Sequence, residues 1–482
     1  MTARSSSLIN NTAPVDPTQE PFQTLFKNVQ GNIVKGHGRD YAVHLLMKFK
    51  GQPADVRTWL GTIAQYLTSA FQQEEHAQQR GENPHVIFAN VFLSADGYRY
   101  LNLVPPQELL AFHQGMKRRG GILNDPSVDT WELPYRERID GMILLACDDR
   151  ACLPFSDDPS DAACWLGSNW GSPYFSDLAE LVTVELGRVL TKDPNSGDIV
   201  ERGSLPTSLT ASKLPSFEHF GYRDGISQPL FLKGQIAGLS VTQWDPFAPL
   251  SLVLVQDPLP DGSPSGGYGS FLVFRKLQQD CDRFQTQVEE LAARLAGSGH
   301  RDLARTQALI MGRFQDGRPV SDPSVSPAFN DFDFTADRYG MQCPLQAHIR
   351  KANPRGETAV WNTRQTVEKE RRHRIVRRGI PYGLRRKGEA PQPPLGLLFM
   401  CYQANIAVQF EHLQGNWANN RHFPLWEHGI DPISGQGYST VQRWPTPSGC
   451  GTVSLRFSDT VRLRGGEYFF APSLNVLRAL KK

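Results

Sequence analysis

Three short segments of this chain combine residue types that could do chemistry. The first is Gly221-Tyr222-Arg223-Asp224-Gly225-Ile226. Asp-Gly pairs favour turns, and the chain has five, at 96–97, 140–141, 224–225, 261–262 and 316–317. Only Asp224 stands in a Gly-x-x-Asp-Gly frame followed by an apolar residue. On the pentapeptide alone, one more turn and a carboxylate presented for proton transfer are both open readings. The second segment, Ala347-His348-Ile349-Arg350-Lys351-Ala352-Asn353-Pro354-Arg355, offers one imidazole. A lone histidine flanked by charge is more often a surface or capping residue than a ligand. The third, Arg371-Arg372-His373-Arg374-Ile375-Val376-Arg377-Arg378-Gly379-Ile380-Pro381-Tyr382-Gly383, is the most basic stretch, with Lys369 before it and Arg385, Arg386 and Lys387 after it. Its bland reading is a solvated basic face. A nucleic-acid surface would want an aromatic platform beside it, and none is present.

These segments need elements to hold them. Tyr41–Phe49 alternates, with Tyr41, Val43, Leu45, Met47 and Phe49 on one side and Ala42, His44, Leu46 and Lys48 on the other, which predicts a strand. After the turn Gly51-Gln52-Pro53, the apolar spacing of Val56, Trp59, Leu60, Ile63 and Leu67 predicts a helix. His85–Leu93 and Gly141–Cys147 read as further strands, and residues 148–215, rich in Asp, Ser, Pro and Gly, as a long connection. The second half repeats the theme. A strand over Ser270–Phe274 precedes a helix that Asp282 caps and Gly297 ends, carrying Phe284, Val288, Leu291, Ala292 and Leu295. A buried-type strand, Leu397–Tyr402, leads into a helix with Ile406, Phe410, Leu413 and Trp417 on one stripe. Strands interleaved with helices, twice over, predict two α+β halves: a flexible tail over 1–20, an N-terminal half with its connection over 21–215, and a C-terminal half over 216–482.

The 482 residues include 51 Lys+Arg against 49 Asp+Glu, a net charge of +2. That balance argues against a dedicated nucleic-acid or membrane-surface binder, both of which need a sustained positive field. The longest apolar runs, Met142–Cys147 and Leu395–Tyr402, are strand-length and too short to span a membrane. Seven scattered cysteines with no Cys-x-x-Cys argue against a disulfide framework, a structural zinc site and a covalently attached c-type haem. The polar residues 1–20 have no secretory h-region, so a cytoplasmic location is the expectation. Gly-x-Gly-x-x-Gly, P-loop, His-Glu-x-x-His and Gly-x-Ser-x-Gly are all missing.

Taken together and in order, the three segments resemble the dye-decolourising peroxidases, a family of haem peroxidases, and their larger bacterial-type subgroup. Gly221–Gly225 matches the family's distal Gly-x-x-Asp-Gly motif, His348 its proximal haem ligand, and Arg377 its distal arginine, with Arg378 the alternative register. The likeness extends to Val29–Arg39, Gly396–Tyr402, Asn416–Asn420 and Gly465–Ser473. The resemblance implies two ferredoxin-like halves, antiparallel sheets with peripheral helices, and one non-covalent haem b in the C-terminal half. It implies His348 as the axial ligand of the haem iron and Asp224 as the base, then acid, in cleaving hydrogen peroxide. Arg377 would be the fixed charge beside the reaction, and Leu397 and Phe399 the walls of the distal pocket. The reductant would be a dye, phenol or similar aromatic molecule. Trp361, Trp417 and Tyr402 could relay electrons or simply fill core. Family members set an acid against the proximal histidine. The aligned position holds Ala407, with Glu411 a turn further on. A Cys343 thiolate ligand is a competing arrangement, and a haem-binding or iron-delivery protein with little turnover is a competing function.

Overall fold

The computed structural model describes residues 8–78, 85–106, 110–170, 175–206, 214–297, 299–362, 364–385, 394–425, 427–437, 441–447 and 451–481. Arg386, Lys387 and Cys450 lie outside them.

Eight strands carry the architecture: β1 (Tyr41–Phe49), β2 (Phe88–Ser94), β3 (Gly141–Cys147), β4 (Ala179–Arg188), β5 (Pro264–Gln279), β6 (Ile380–Tyr382), β7 (Gly396–Gln403) and β8 (Val461–Ala471). The first four pair in the order β4-β1-β3-β2, and the last four in the order β8-β5-β7-β6. Each quartet therefore has the 4-1-3-2 order of a ferredoxin-like sheet. The quartets join where Tyr382 of β6 meets Gly187 of β4, and where Phe469 and Phe470 of β8 meet Ser94 and Leu93 of β2. With β5 also paired to β7, the eight strands close into one antiparallel barrel, which removes their free edges. Closure explains why β1 and β3 are buried on both faces: one face looks into the barrel and the other lies under helices. No helix among the described residues is long and apolar enough to cross a membrane.

Helices bridge the strands as their sequences dictate. α1 (Pro53–Ile63) has Pro at its first turn and buries Val56, Trp59, Leu60 and Ile63. α2 (Pro159–Asn169) is capped by Asp158, which accepts from Ser160 N at 2.8 Å. α3 (Cys281–Ala296) buries Phe284, Val288, Leu291 and Ala292 and ends at Gly297.

Several readings of the sequence change here. Residues 148–215 hold α2 and the whole of β4, so they supply the fourth strand of the first quartet and not merely a connection. β5 runs far beyond Ser270–Phe274. The cap of α3 is Asp280, which accepts from Arg283 N at 3.0 Å, while Asp282 pairs with Arg385 at 2.6 Å. Within the segment read as a tail, Val15 is buried and bridges to Leu232, its N–H donating to Phe231 O at 2.9 Å. The helix after β7 is a π-helix, Ala407–Ala418, with Glu411 N donating to Ile406 O at 2.9 Å.

Apolar packing falls into two cores. The large one fills the barrel and its helix-covered faces. A smaller one gathers Phe220, Tyr222, Phe284, Leu309, Cys343, Ala347 and Phe457. It packs residues on either side of Gly221 and the residue before His348, so it fixes two of the three chemical segments against α3.

Candidate functional site

The Gly221–Gly225 loop is built from buried contacts outward. Phe220 stacks on Phe284 of α3 with centroids 4.3 Å apart. The half-buried Glu218 carboxylate accepts from Phe220 N and Tyr222 N at 2.9 Å each, and from Gln279 Nε2 at 2.6 Å. Burial pushes its acid up to about 7. Gly221 has φ +92°, a left-handed conformation that calls for glycine. The loop thus delivers Asp224, 30% exposed, with its Oδ1 accepting from Arg377 Nη1 at 3.1 Å.

Arg377 lies in a two-residue strand, Val376–Arg377, paired with β7 so that Arg377 stands opposite Cys401. Side chains directly opposite in an antiparallel pair share a face, and alternate residues of a strand share one too. Arg377 therefore projects from the face that also carries Leu397 and Phe399, both half-buried, while Leu398 and Met400 point into the barrel core. The same alternation separates the two arginines. Arg378 turns away and is held by the Asn32, Ile33 and Arg377 carbonyls at 2.8, 3.2 and 2.9 Å. The arginine beside Asp224 is Arg377.

His348 opens a short helix, α4 (His348–Ala352). Its Nδ1 lies 2.8 Å from Oδ2 of the buried Asp431. Asp431 also accepts from Ile433 N, Ser434 N and Ser434 Oγ at 2.8, 3.0 and 2.7 Å. Burial alone would raise this acid, but His348 and the Ser434 bonds outweigh it and hold it below the usual carboxylate range. An ionised Asp431 fixes Nδ1 as the N–H and leaves Nε2 to ligate. The acid beside His348 is thus neither Ala407 nor Glu411. Ala407 is exposed at the start of the π-helix, and Glu411 is taken by Arg119 Nε at 2.8 Å and Tyr468 Oη at 3.1 Å. Nothing in the sequence around Asp431 singles it out beyond an Asp-Pro turn.

The loop and the histidine segment are tied together. Arg355, seven residues after His348, donates to Ser227 Oγ at 3.0 Å, and the Ser227 carbonyl accepts from Arg377 at 3.5 Å. Cys343 is fully buried in the smaller apolar core, and burial pushes its thiol up to about 12. Trp417 is buried between the stacked His373 and His412 rings and Phe423. Tyr402 is wholly buried, and Trp361 is half-buried beside the exposed Tyr339 at 5.9 Å.

These residues fit a haem. They offer one imidazole nitrogen with a buried carboxylate behind it and a polar pair set beside two half-buried apolar side chains. Gly225, at φ +80°, has nothing within 4 Å of where its Cβ would stand. One protein ligand with an open opposite side is the donor set of a haem peroxidase. The comparisons agree. Residues 28–154 match the DyP dimeric alpha+beta barrel domain, and residues 259–441 match the Dyp-type peroxidase C-terminal domain. The chain is 34% identical to the multifunctional dye peroxidase DyP2 of Amycolatopsis sp., over 95% of this chain and 96% of that protein. It is 32% identical to peroxidase 2 of Mycetinis scorodonius, over 98% and 92% of the two chains. It superposes on the crystal structure of a DyP-type peroxidase from Anabaena sp. with a TM-score of 0.83, at 35% identity and full coverage of both chains. The chain belongs to the DyP-type peroxidase family, whose members are haem-dependent, and is a peroxidase.

Proposed function

We propose that this peroxidase reduces hydrogen peroxide and oxidises dyes, phenols or similar aromatic reductants in one-electron steps, using one non-covalent haem b per chain with His348 as the axial ligand. When bound, the haem supplies an iron that takes the peroxide and stores its oxidising equivalents. The observation that carries the reading is the Asp224–Arg377 contact at 3.1 Å. An acid–base group and a fixed cation held together beside apolar side chains are what heterolytic peroxide cleavage requires.

The chain's own groups account for the remaining steps. Asp224 accepts the proton of the inner peroxide oxygen and returns it to the outer oxygen, so that the O–O bond breaks with water leaving. Arg377 stabilises the negative charge that develops during cleavage and orients Asp224. Leu397 and Phe399 keep that space narrow and dry, which strengthens both effects. Asp431 orients the His348 ring and raises its basicity. A cytoplasmic setting is part of the proposal, on the strength of the odd, scattered cysteines.

The test is stopped-flow mixing of haem-loaded protein with hydrogen peroxide, followed at the Soret band, with a dye assay beside it. Rapid spectral change and dye turnover are expected. His348→Ala should yield protein with little or no haem. A parent that binds haem but leaves peroxide untouched, or a His348→Ala protein with full haem and an unchanged ferric spectrum, would contradict the assignment.

A further inference from the structure

β2 and β3 run side by side with Phe88 opposite Ala146. The residues entering β2 and those leaving β3 therefore meet at one end of the N-terminal quartet. Three donor atoms converge there. His85 Nδ1 lies 3.3 Å from Asp149 Oδ2 and 3.5 Å from Cys152 Sγ, and all three atoms are within 4.8 Å of one another. The local fold sets this up. Asp149 uses its other oxygen to cap the single turn Arg150–Cys152, accepting from Ala151 N at 2.9 Å, so Oδ2 is left for His85.

Both contacts use the same ring nitrogen. In a cysteine–histidine–carboxylate relay one ring nitrogen faces the sulfur and the other faces the acid. The geometry here is no relay; it is three corners around one point. Tetrahedral zinc has bonds of about 2.0–2.1 Å to nitrogen, 2.0–2.2 Å to oxygen and 2.3 Å to sulfur, which puts N–O corners about 3.4 Å apart and N–S corners about 3.6 Å apart. The two observed edges, 3.3 and 3.5 Å, match those lengths.

We propose that His85, Asp149 and Cys152 bind a single divalent transition-metal ion of the zinc type, at a site on the N-terminal half separate from that of His348. A sulfur and an imidazole nitrogen select a borderline-soft ion over Mg²⁺ or Ca²⁺, which want oxygen. Three protein donors leave the fourth position to water. Cys152 gives up its proton as the metal binds. The ion pins the entry of β2 to the turn after β3. It also engages the sulfur lone pair that peroxide would otherwise oxidise.

The test uses the haem-loaded protein, freed of metal by chelator and kept reduced. Titration with Zn²⁺ against a competing fluorescent chelator should show one ion per chain, with affinity falling roughly tenfold or more in His85→Ala and in Cys152→Ser. The Soret band serves as the folding control for both variants. Alkylation by iodoacetamide, read by peptide mass spectrometry, should slow at least about tenfold at Cys152 when Zn²⁺ is present, while the exposed Cys164 of α2 reacts as before. Zinc binding that survives both substitutions would overturn the proposal. So would equal alkylation of Cys152 with and without zinc, or a Cys147–Cys152 disulfide in the isolated protein under non-reducing conditions.

Discussion

Asp224 and Arg377 touch at 3.1 Å, and each keeps about a third of its side chain open, at 30% and 34%. That partial exposure is what a reacting pair needs: close enough to orient each other, open enough to meet peroxide. Asp224→Asn keeps size and shape but cannot take the proton. It should bind haem normally and lose the fast peroxide reaction, by roughly 10²–10⁴-fold; a stopped-flow rate equal to the parent's would remove Asp224 from the acid–base role. The arginines make a sharper comparison because they are adjacent. Arg377→Leu should retain haem and slow the peroxide step about a hundred- to thousandfold, or roughly 3–4 kcal/mol, as for a lost oxyanion donor. Arg378→Leu removes the donor that three backbone carbonyls share. It should lower unfolding stability by about 1–3 kcal/mol and leave the peroxide rate near that of the parent. The reverse pattern in stopped-flow and thermal melts would exchange their roles. The sequence marks all three distal and proximal residues through their motifs, yet it leaves the arginine register open. The strand alternation beside Cys401 decides it.

Elements supply what single residues lack. Asp431 lies 83 residues from His348. It reaches His348 because Asp431 N donates to the Ala418 carbonyl at 2.8 Å, at the end of the π-helix. No local pattern announces such a contact, so a search near Ala407 and Glu411 misses it. The fold has brought a distant loop under α4. Asp431→Asn should keep the haem but weaken His348 as a donor. The ferric/ferrous potential should move positive, and peroxide cleavage should slow by roughly 10–100-fold. An unchanged potential in a redox titration would show that Asp431 does not tune His348. β4 is hidden for a related reason. β3 reads as a strand because it is apolar throughout, and β1 because Tyr41, Val43, Leu45, Met47 and Phe49 keep one whole face apolar although the other holds the buried His44. In β4 the buried Glu185 points into the barrel, where it accepts from Lys276 Nζ at 2.8 Å and Tyr135 Oη at 2.9 Å. A polar residue inside breaks the apolar alternation by which strands are read. Its partners come from β5 and the chain before β3, neither of which is adjacent in sequence.

At the scale of the whole molecule, closing two quartets into one barrel leaves thin seams and forces polar groups into the interior. Asp257 belongs to Val255–Pro258, a short strand paired with Pro264–Gly269 at the start of β5, and accepts from Ser473 N at 2.6 Å and Ser473 Oγ at 2.7 Å just beyond β8. It thus stitches the added strand to the end of the second quartet. Burial pushes its acid from 3.8 up to about 7, against the lowering pull of Ser473. For an acid raised on folding, the contribution to stability is fully present below the unfolded value of 3.8. It is lost as pH rises through the folded value of about 7, because the unfolded chain ionises first. The difference corresponds to roughly 4 kcal/mol as an upper figure. Asp257→Asn holds the site neutral at every pH and keeps a carbonyl oxygen to accept from Ser473, with an amide NH2 in place of the acid's O–H. The parent should therefore lose more stability than the variant between pH 5 and pH 8, so that the gap in Tm between them shifts by a few degrees in the variant's favour. Circular-dichroism melts of the two haem-loaded proteins at both pH values decide it. Parallel pH dependences would mean that Asp257 is already ionised in the folded barrel, with Ser473 carrying its charge.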